Sequence, residues 1–240
     1  MKASDKGIAF LVAHEGIVPG PYWDSANPPV LTFGIGHTSA AGDPDPAKMP
    51  RGMPADLDAA LRDVFRVFRT DLAKYEAEVR RALNGMKVQQ HEFDAALAFH
   101  FDTGAIARAS WVKSWRAGNR RAAEVEFMNW RSPASIIPRR KEERNLWATG
   151  QYGAKRAAVW PVSAAGKITW KAVRTLSQSE VIAMLRPDEV ARPPGKPADG
   201  GWTAPAAPVP TSAQASAPKL GALLIAALAA ALAAYVKSKG

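Results

Sequence analysis

The chain has 240 residues, room for one or two domains, and its 47% hydrophobic and 22% charged residues suit a folded globular protein rather than a disordered one. It has no cysteine, which excludes disulfide scaffolds, cysteine-zinc sites and thiol nucleophiles. A formal charge of +10 favours an anionic partner (nucleic acid, acidic lipid or a bacterial wall polymer) without choosing among them.

Residues 1–20 contain no apolar core between a basic start and a small-residue cleavage site, so no secretory signal is expected. Residues 7–13 predict a short apolar helix starting near Ser4 or Asp5, with Glu15-Gly16 at its end. Only 17–38 looks β-like: Pro, Gly and Asn break the chain, then Val30-Leu31-Thr32-Phe33-Gly34-Ile35 alternates. Leu57, Leu61, Val64, Phe65, Phe68, Leu72, Tyr75 and Val79 recur at helical spacing and predict one long amphipathic helix over 56–83, ended by Asn84-Gly85. Further helices are expected near 89–101, 108–117, 119–130, 138–149 and 178–185. A single β piece followed by helices predicts an α+β, mostly helical fold with a cleft beside the β piece.

Up to residue 186 the chain carries 27 basic and 19 acidic residues, a net +8, and this body is expected to be one domain. From 187 to 219 the composition turns to Pro, Ala, Gly and Ser, with eight of the nineteen prolines, and reads as a semi-extended linker. Residues 220–236 are seventeen positions without a charge, flanked by Lys219, Lys237 and Lys239, with Tyr235 near the end. As a helix they span about 25 Å, just under the roughly 30 Å of a bilayer core. A membrane anchor is the favoured reading, and a packing helix the alternative.

The chemistry is concentrated near the N-terminus. Glu15 at a helix C-terminus faces the negative end of the dipole, with Leu11, Val12 and Ile17 nearby to desolvate it. Both conditions raise a carboxyl pKa and suit a general acid. After eight intervening residues Asp24 stands in a polar turn that favours its ionised form. Two carboxyl groups in opposed environments are the equipment for cleaving a glycosidic bond. On spacing alone, a helix-ending Glu and a turn Asp without chemistry is the simpler reading.

The residues that follow change the balance. Glu15, Asp24 and Thr32-Phe33-Gly34-Ile35-Gly36-His37-Thr38 together resemble the phage-type lysozyme family, glycoside hydrolase family 24, whose pattern is Glu, eight residues, Asp, five residues, Thr, then Gly-x-Gly-His. Gln89-Gln90-His91-Glu92-Phe93-Asp94-Ala95 is similar to the family's Gln-Gln-x-Glu-Phe-Asp-Ala, and Phe99-His100-Phe101-Asp102-Thr103-Gly104 to its Phe-x-Phe-Asn-x-Gly. Pro138-Arg139-Arg140-Lys141-Glu142-Glu143 resembles its Arg-Arg-x-x-Glu segment, so the likeness spans about 8–152.

The resemblance implies a small N-terminal β lobe and a larger helical lobe joined by the long helix, with the cleft between them. It implies a muramidase acting on peptidoglycan, with Glu15 as the acid and Asp24 and Thr32 holding or activating water. Thr38, Phe101, Asp102 and Ser110 would line the sugar cleft. His37 would hold the β lobe against the first helix, and Arg140 would pair with Glu15. No cofactor or metal is implied. The enzyme would wait in the host cytoplasm or at the inner membrane, with holin-type release, and act on the periplasmic wall.

Three features depart from the family. Seven residues rather than five separate Asp24 from Thr32, Asp102 replaces the usual Asn or Gln and adds a negative charge to the cleft, and 40–54 is a Pro-rich insertion. Two enzymatic or binding alternatives stay open: a lytic transglycosylase, which needs only the acid, and an inactive wall-binding module. Nucleic-acid binding is disfavoured, because Lys and Arg are interleaved with Asp and Glu without a basic stripe.

Overall fold

The computed structural model describes residues 1–186; the expected linker 187–219 and apolar helix 220–236 lie outside the described residues. Among the described residues no helix is long and apolar enough to cross a membrane.

Helix α1 (Asp5–Glu15) opens where the sequence supplies a cap: the Ser4 hydroxyl accepts from Gly7 N at 3.0 Å. The same serine is tied to Asp94 through its backbone N at 3.0 Å and its hydroxyl at 2.5 Å, which pins α1 to the middle of the chain. Gly7 permits that approach, since a Cβ there would lie 2.3 Å from Asp94 Cγ. At the other end Gly16 has φ +72, and a Cβ would meet Trp160 Nε1 at 2.7 Å. The turn that stops α1 directly after Glu15 therefore requires glycine twice over.

Strands β1 (Val18–Trp23), β2 (Leu31–Gly34) and β3 (His37–Thr38) form an antiparallel sheet in that order. Tyr22 pairs with Thr32, Trp23 with Leu31, Thr32 with Thr38 and Phe33 with His37. At the hairpin tip Asp24 N donates to Val30 O at 3.0 Å, and Val30 N donates back to Asp24 Oδ1 at 2.7 Å. Below it the β1–β2 register shifts at a bulge between Val18, which pairs with Gly34, and Tyr22.

Helix α2 (Leu57–Ala82) is the predicted long helix, with Asp56 capping Ala59 N at 2.9 Å. It contacts all three strands on one side and, on the other, α3 (Gln90–Thr103) and α7 (Gln178–Leu185). Leu61, Val64, Phe65, Phe68, Leu72 and Val79 are its buried stripe. The helical lobe is completed by α4 (Ser110–Arg116), α5 (Arg120–Phe127) and α6 (Ile137–Thr149), with Trp111, Trp115, Trp147, Phe99 and Phe127 packed ring against ring. This is the mixed α+β, mostly helical architecture expected from the sequence.

One part of the fold was not anticipated. After Tyr152 the chain returns to the β lobe as the hairpin β4 (Ala157–Val159) and β5 (Arg174–Leu176). Ile17 N donates to Ala158 O at 2.9 Å, Trp160 N donates to Ile17 O at 2.8 Å, and Trp23 N donates to Gly166 O at 3.0 Å. The segment thus covers the free edge of β1, where Val18, Tyr22 and Val162 form their own small core.

Candidate active site

Glu15 is the last residue of α1 and is 2% exposed. Its Oε1 lies 2.6 Å from Arg139 Nη2, itself buried at the start of α6. Burial raises the Glu15 pKa to about 7; the nearby charges of Asp102 and Glu143 add to the rise and Arg139 opposes it. The carboxyl group therefore keeps a proton up to neutral pH.

The predicted Glu15–Arg140 pair is not formed. Successive helical residues point about 100° apart, so Arg139 faces α1 while Arg140 turns toward α3. There Arg140 Nη2 meets Asp102 Oδ2 and Nη1 meets Glu143 Oε2, its Nε donates to Trp130 O at 2.9 Å, and its guanidinium lies 4.8 Å from the Phe99 ring centre. Arg139 Nε donates to Glu143 Oε1 at 2.8 Å, one helical turn on, and its Nη1 stands 3.5 Å from Asp102 Oδ1. Glu15, Asp102 and Glu143 thus share two guanidiniums inside the protein.

Asp102 is consequently not a surface of the cleft. It is 2% exposed, and its charge is taken up by the arginines. Phe101 is 5% exposed, with its ring centre 5.7 Å from that of Phe68 and 4.6 Å from that of Tyr75. Burial raises the phenol of Tyr75 to about 12, with the charges of Asp71 and then Glu15 adding to the rise. Phe101 and Asp102 belong to the wall behind the acid, because the helix α3 that carries them is buried nearly all round.

Asp24 and Thr32 come together through strand geometry. Alternation puts Tyr22 and Asp24 on one face, and pairing puts Thr32 opposite Tyr22 with Thr38 beyond it, so one row crosses the sheet. Asp24 Oδ1 accepts from Val30 N at 2.7 Å and Ala26 N at 3.1 Å, while its buried Oδ2 has no partner among the described residues. Thr32 is fully buried and donates to Val30 O at 3.2 Å. Thr38 is half-buried, and Ser110 is exposed at the start of α4.

Tyr22 is the residue that the sequence reading passed over. It is fully buried, and its hydroxyl has no partner among the described residues. Burial, and then the charges of Glu15 and Asp24, push its pKa well above the ordinary phenol value, so it remains a donor next to both carboxyl groups. Its position two before Asp24 on a strand was a readable signal.

His37 ties the β lobe to α2 rather than to the first helix, against expectation. Its Nδ1 lies 2.7 Å from Asp71 Oδ2 on α2, and its Nε2 2.8 Å from Pro44 O in the insertion. Burial lowers its pKa, but the hydrogen bond and charge of Asp71 outweigh this and leave it raised. His14 is held neutral instead: burial takes its pKa to about 4, and it sits 3.1 Å from both Lys155 Nζ and Glu142 Oε2. Among the described residues no three His or carboxylate side chains are grouped to hold a metal ion.

A buried, protonated acid ending a helix beside a carboxylate on a small sheet is the arrangement of a glycosidase of lysozyme type. The comparisons with known proteins agree. Residues 12–143 match the phage lysozyme family, and the chain belongs to that family. It is similar to the crystal structure of a P22 lysozyme mutant, with 25% identity and a TM-score of 0.50 over 62% of this chain and 99% of that one. Comparison with curated proteins gives no match.

Proposed function

We propose that this protein is an endolysin that hydrolyses the β-1,4 bond between N-acetylmuramic acid and N-acetylglucosamine in peptidoglycan. The observation that carries this reading is Glu15, buried at the end of α1 with its pKa raised to about 7. It donates its proton to the leaving glycosidic oxygen. Asp24 accepts a proton from the attacking water through its free Oδ2, and Thr32 and the Tyr22 hydroxyl fix that water from the same sheet face. Thr38 and Ser110, which reach solvent, meet the flanking sugars.

Before lysis the protein resides in the host cytoplasm or at the inner membrane, anchored by 220–236 and freed through a holin-type route to reach the periplasmic wall. The charge-free run and its lysine flanks support the anchor. Mass spectrometry of digested sacculi tests the chemistry. A hydrolase leaves reducing-end muramic acid carrying one added water, whereas predominantly anhydro products would replace this reading with transglycosylation and leave Asp24 without its task.

A further inference from the structure

Three carboxylates, Glu15, Asp102 and Glu143, converge on two guanidiniums, Arg139 and Arg140, and all five side chains are at most 4% exposed. With every group ionised the cluster carries one net negative charge inside the protein, which is costly. One proton makes it neutral. Geometry decides where that proton sits. Glu143 contacts both guanidiniums, one through each oxygen. Asp102 also meets both, Arg140 closely and Arg139 at 3.5 Å. Glu15 touches Arg139 alone, through one oxygen. It is the least compensated of the three.

We propose that Asp102 is a positioning residue that keeps Glu15 protonated at neutral pH, by occupying guanidinium charge that would otherwise stabilise the Glu15 carboxylate. The idea rests on the reading of Glu15 as the acid and deepens it. The other groups acting on Glu15 do not supply a competing proton balance. Tyr22 and Tyr75, from β1 and α2, keep their protons through neutral pH, their pKa values being raised by burial. Lys155, lowered from its ordinary value by burial, lies 3.1 Å from His14 Nδ1 and makes no ion pair with the cluster. Asp24 bears on the same Tyr22 phenol from the hairpin. Burial and the Asp102 charge act on Glu15 in the same upward direction. An amide at position 102 removes one negative charge and releases Arg139 toward Glu15, so ionised Glu15 then completes a neutral cluster.

The test measures two things on the full chain: the pH profile of kcat on purified peptidoglycan, and the titration of the Glu15 carboxyl by 13C NMR. Asp102→Asn is expected to move both the alkaline limb and the Glu15 midpoint down by about one pH unit or more. Glu143→Gln, which removes a charge from the same cluster, should move them in the same direction and covers the case in which Asp102→Asn fails to fold. Folded variants with an unmoved Glu15 midpoint would overturn the proposal. A Glu15 midpoint that moves while the alkaline limb of kcat stays in place would uphold the charge sharing and refute Glu15 as the acid, so the two ideas fail separately.

Discussion

The two halves of the site are built in opposite ways. The hairpin side is local: Asp24, Thr32 and Tyr22 lie within eleven residues, and Asp24 is oriented by the backbone N–H groups of Ala26 and Val30 in its own loop. The acid side is assembled from three helices distant in sequence, with Glu15 from α1, Asp102 from α3, and Arg139, Arg140 and Glu143 from α6. Changes on the hairpin side should therefore damage chemistry and spare the fold. Changes on the acid side should touch both, because a buried charge left alone is expensive.

The largest effect that separates the halves is expected at Asp24. Asp24→Asn should keep the thermal transition near that of the parent, while kcat on peptidoglycan falls by about 10²–10⁴. A matching loss of stability would show that the hairpin is not the self-contained unit described. On the other side, Arg139→Met removes a guanidinium from three carboxylates and should cost about 3–5 kcal/mol in denaturant unfolding at pH 7. A cost under about 1 kcal/mol would mean that the cluster relaxes into water and is not the buried unit inferred.

Tyr22→Phe separates stability from chemistry, because the lost hydroxyl has no partner among the described residues. Stability should be unchanged or slightly higher, by up to about 1 kcal/mol. A hydroxyl that fixes water should lower kcat by about tenfold without changing KM. Equal kcat for the two forms would remove the phenol from the mechanism. The smallest effect belongs to the tie between lobe and helix. The folded pKa of His37 is raised, so its link to Asp71 adds stability that is fully present below about pH 6.5 and is lost as pH rises through the folded value. The stability difference between the parent and His37→Gln should accordingly shrink on going from pH 6 to pH 9. A gap that widens over that range would reverse the assignment.

What could be read in the sequence follows the same division. The Ser4 cap, the 3.6-residue stripe of α2 and the period-2 run through Thr32 act over a few residues, and the helices and sheet stand close to where those signals put them. The turn that carries Asp24 was legible for the same reason. The partner of Glu15 was not, because choosing Arg139 over Arg140 depends on the rotational phase of α6 against α1, which no local pattern records. Asp102 was placed in the cleft by the family resemblance alone, and its burial against two arginines depends on contacts between α3 and α6 that no local pattern records. The β4–β5 hairpin went unnoticed although Val159-Trp160, Ile168-Thr169-Trp170 and Val173 carry strand-forming side chains around the Ala165-Gly166 turn. Its strands are only three residues long, and one of its main contacts is with Ile17, at the far end of the chain.

Glu15→Gln removes the buried proton proposed to drive bond cleavage. The amide has the shape of the protonated acid and no proton to give, so the variant should fold at least as stably as the parent at pH 7. Clearing of purified peptidoglycan should nevertheless fall by about a thousandfold or more. A folded Glu15→Gln protein that clears peptidoglycan within about threefold of the parent rate would contradict the account.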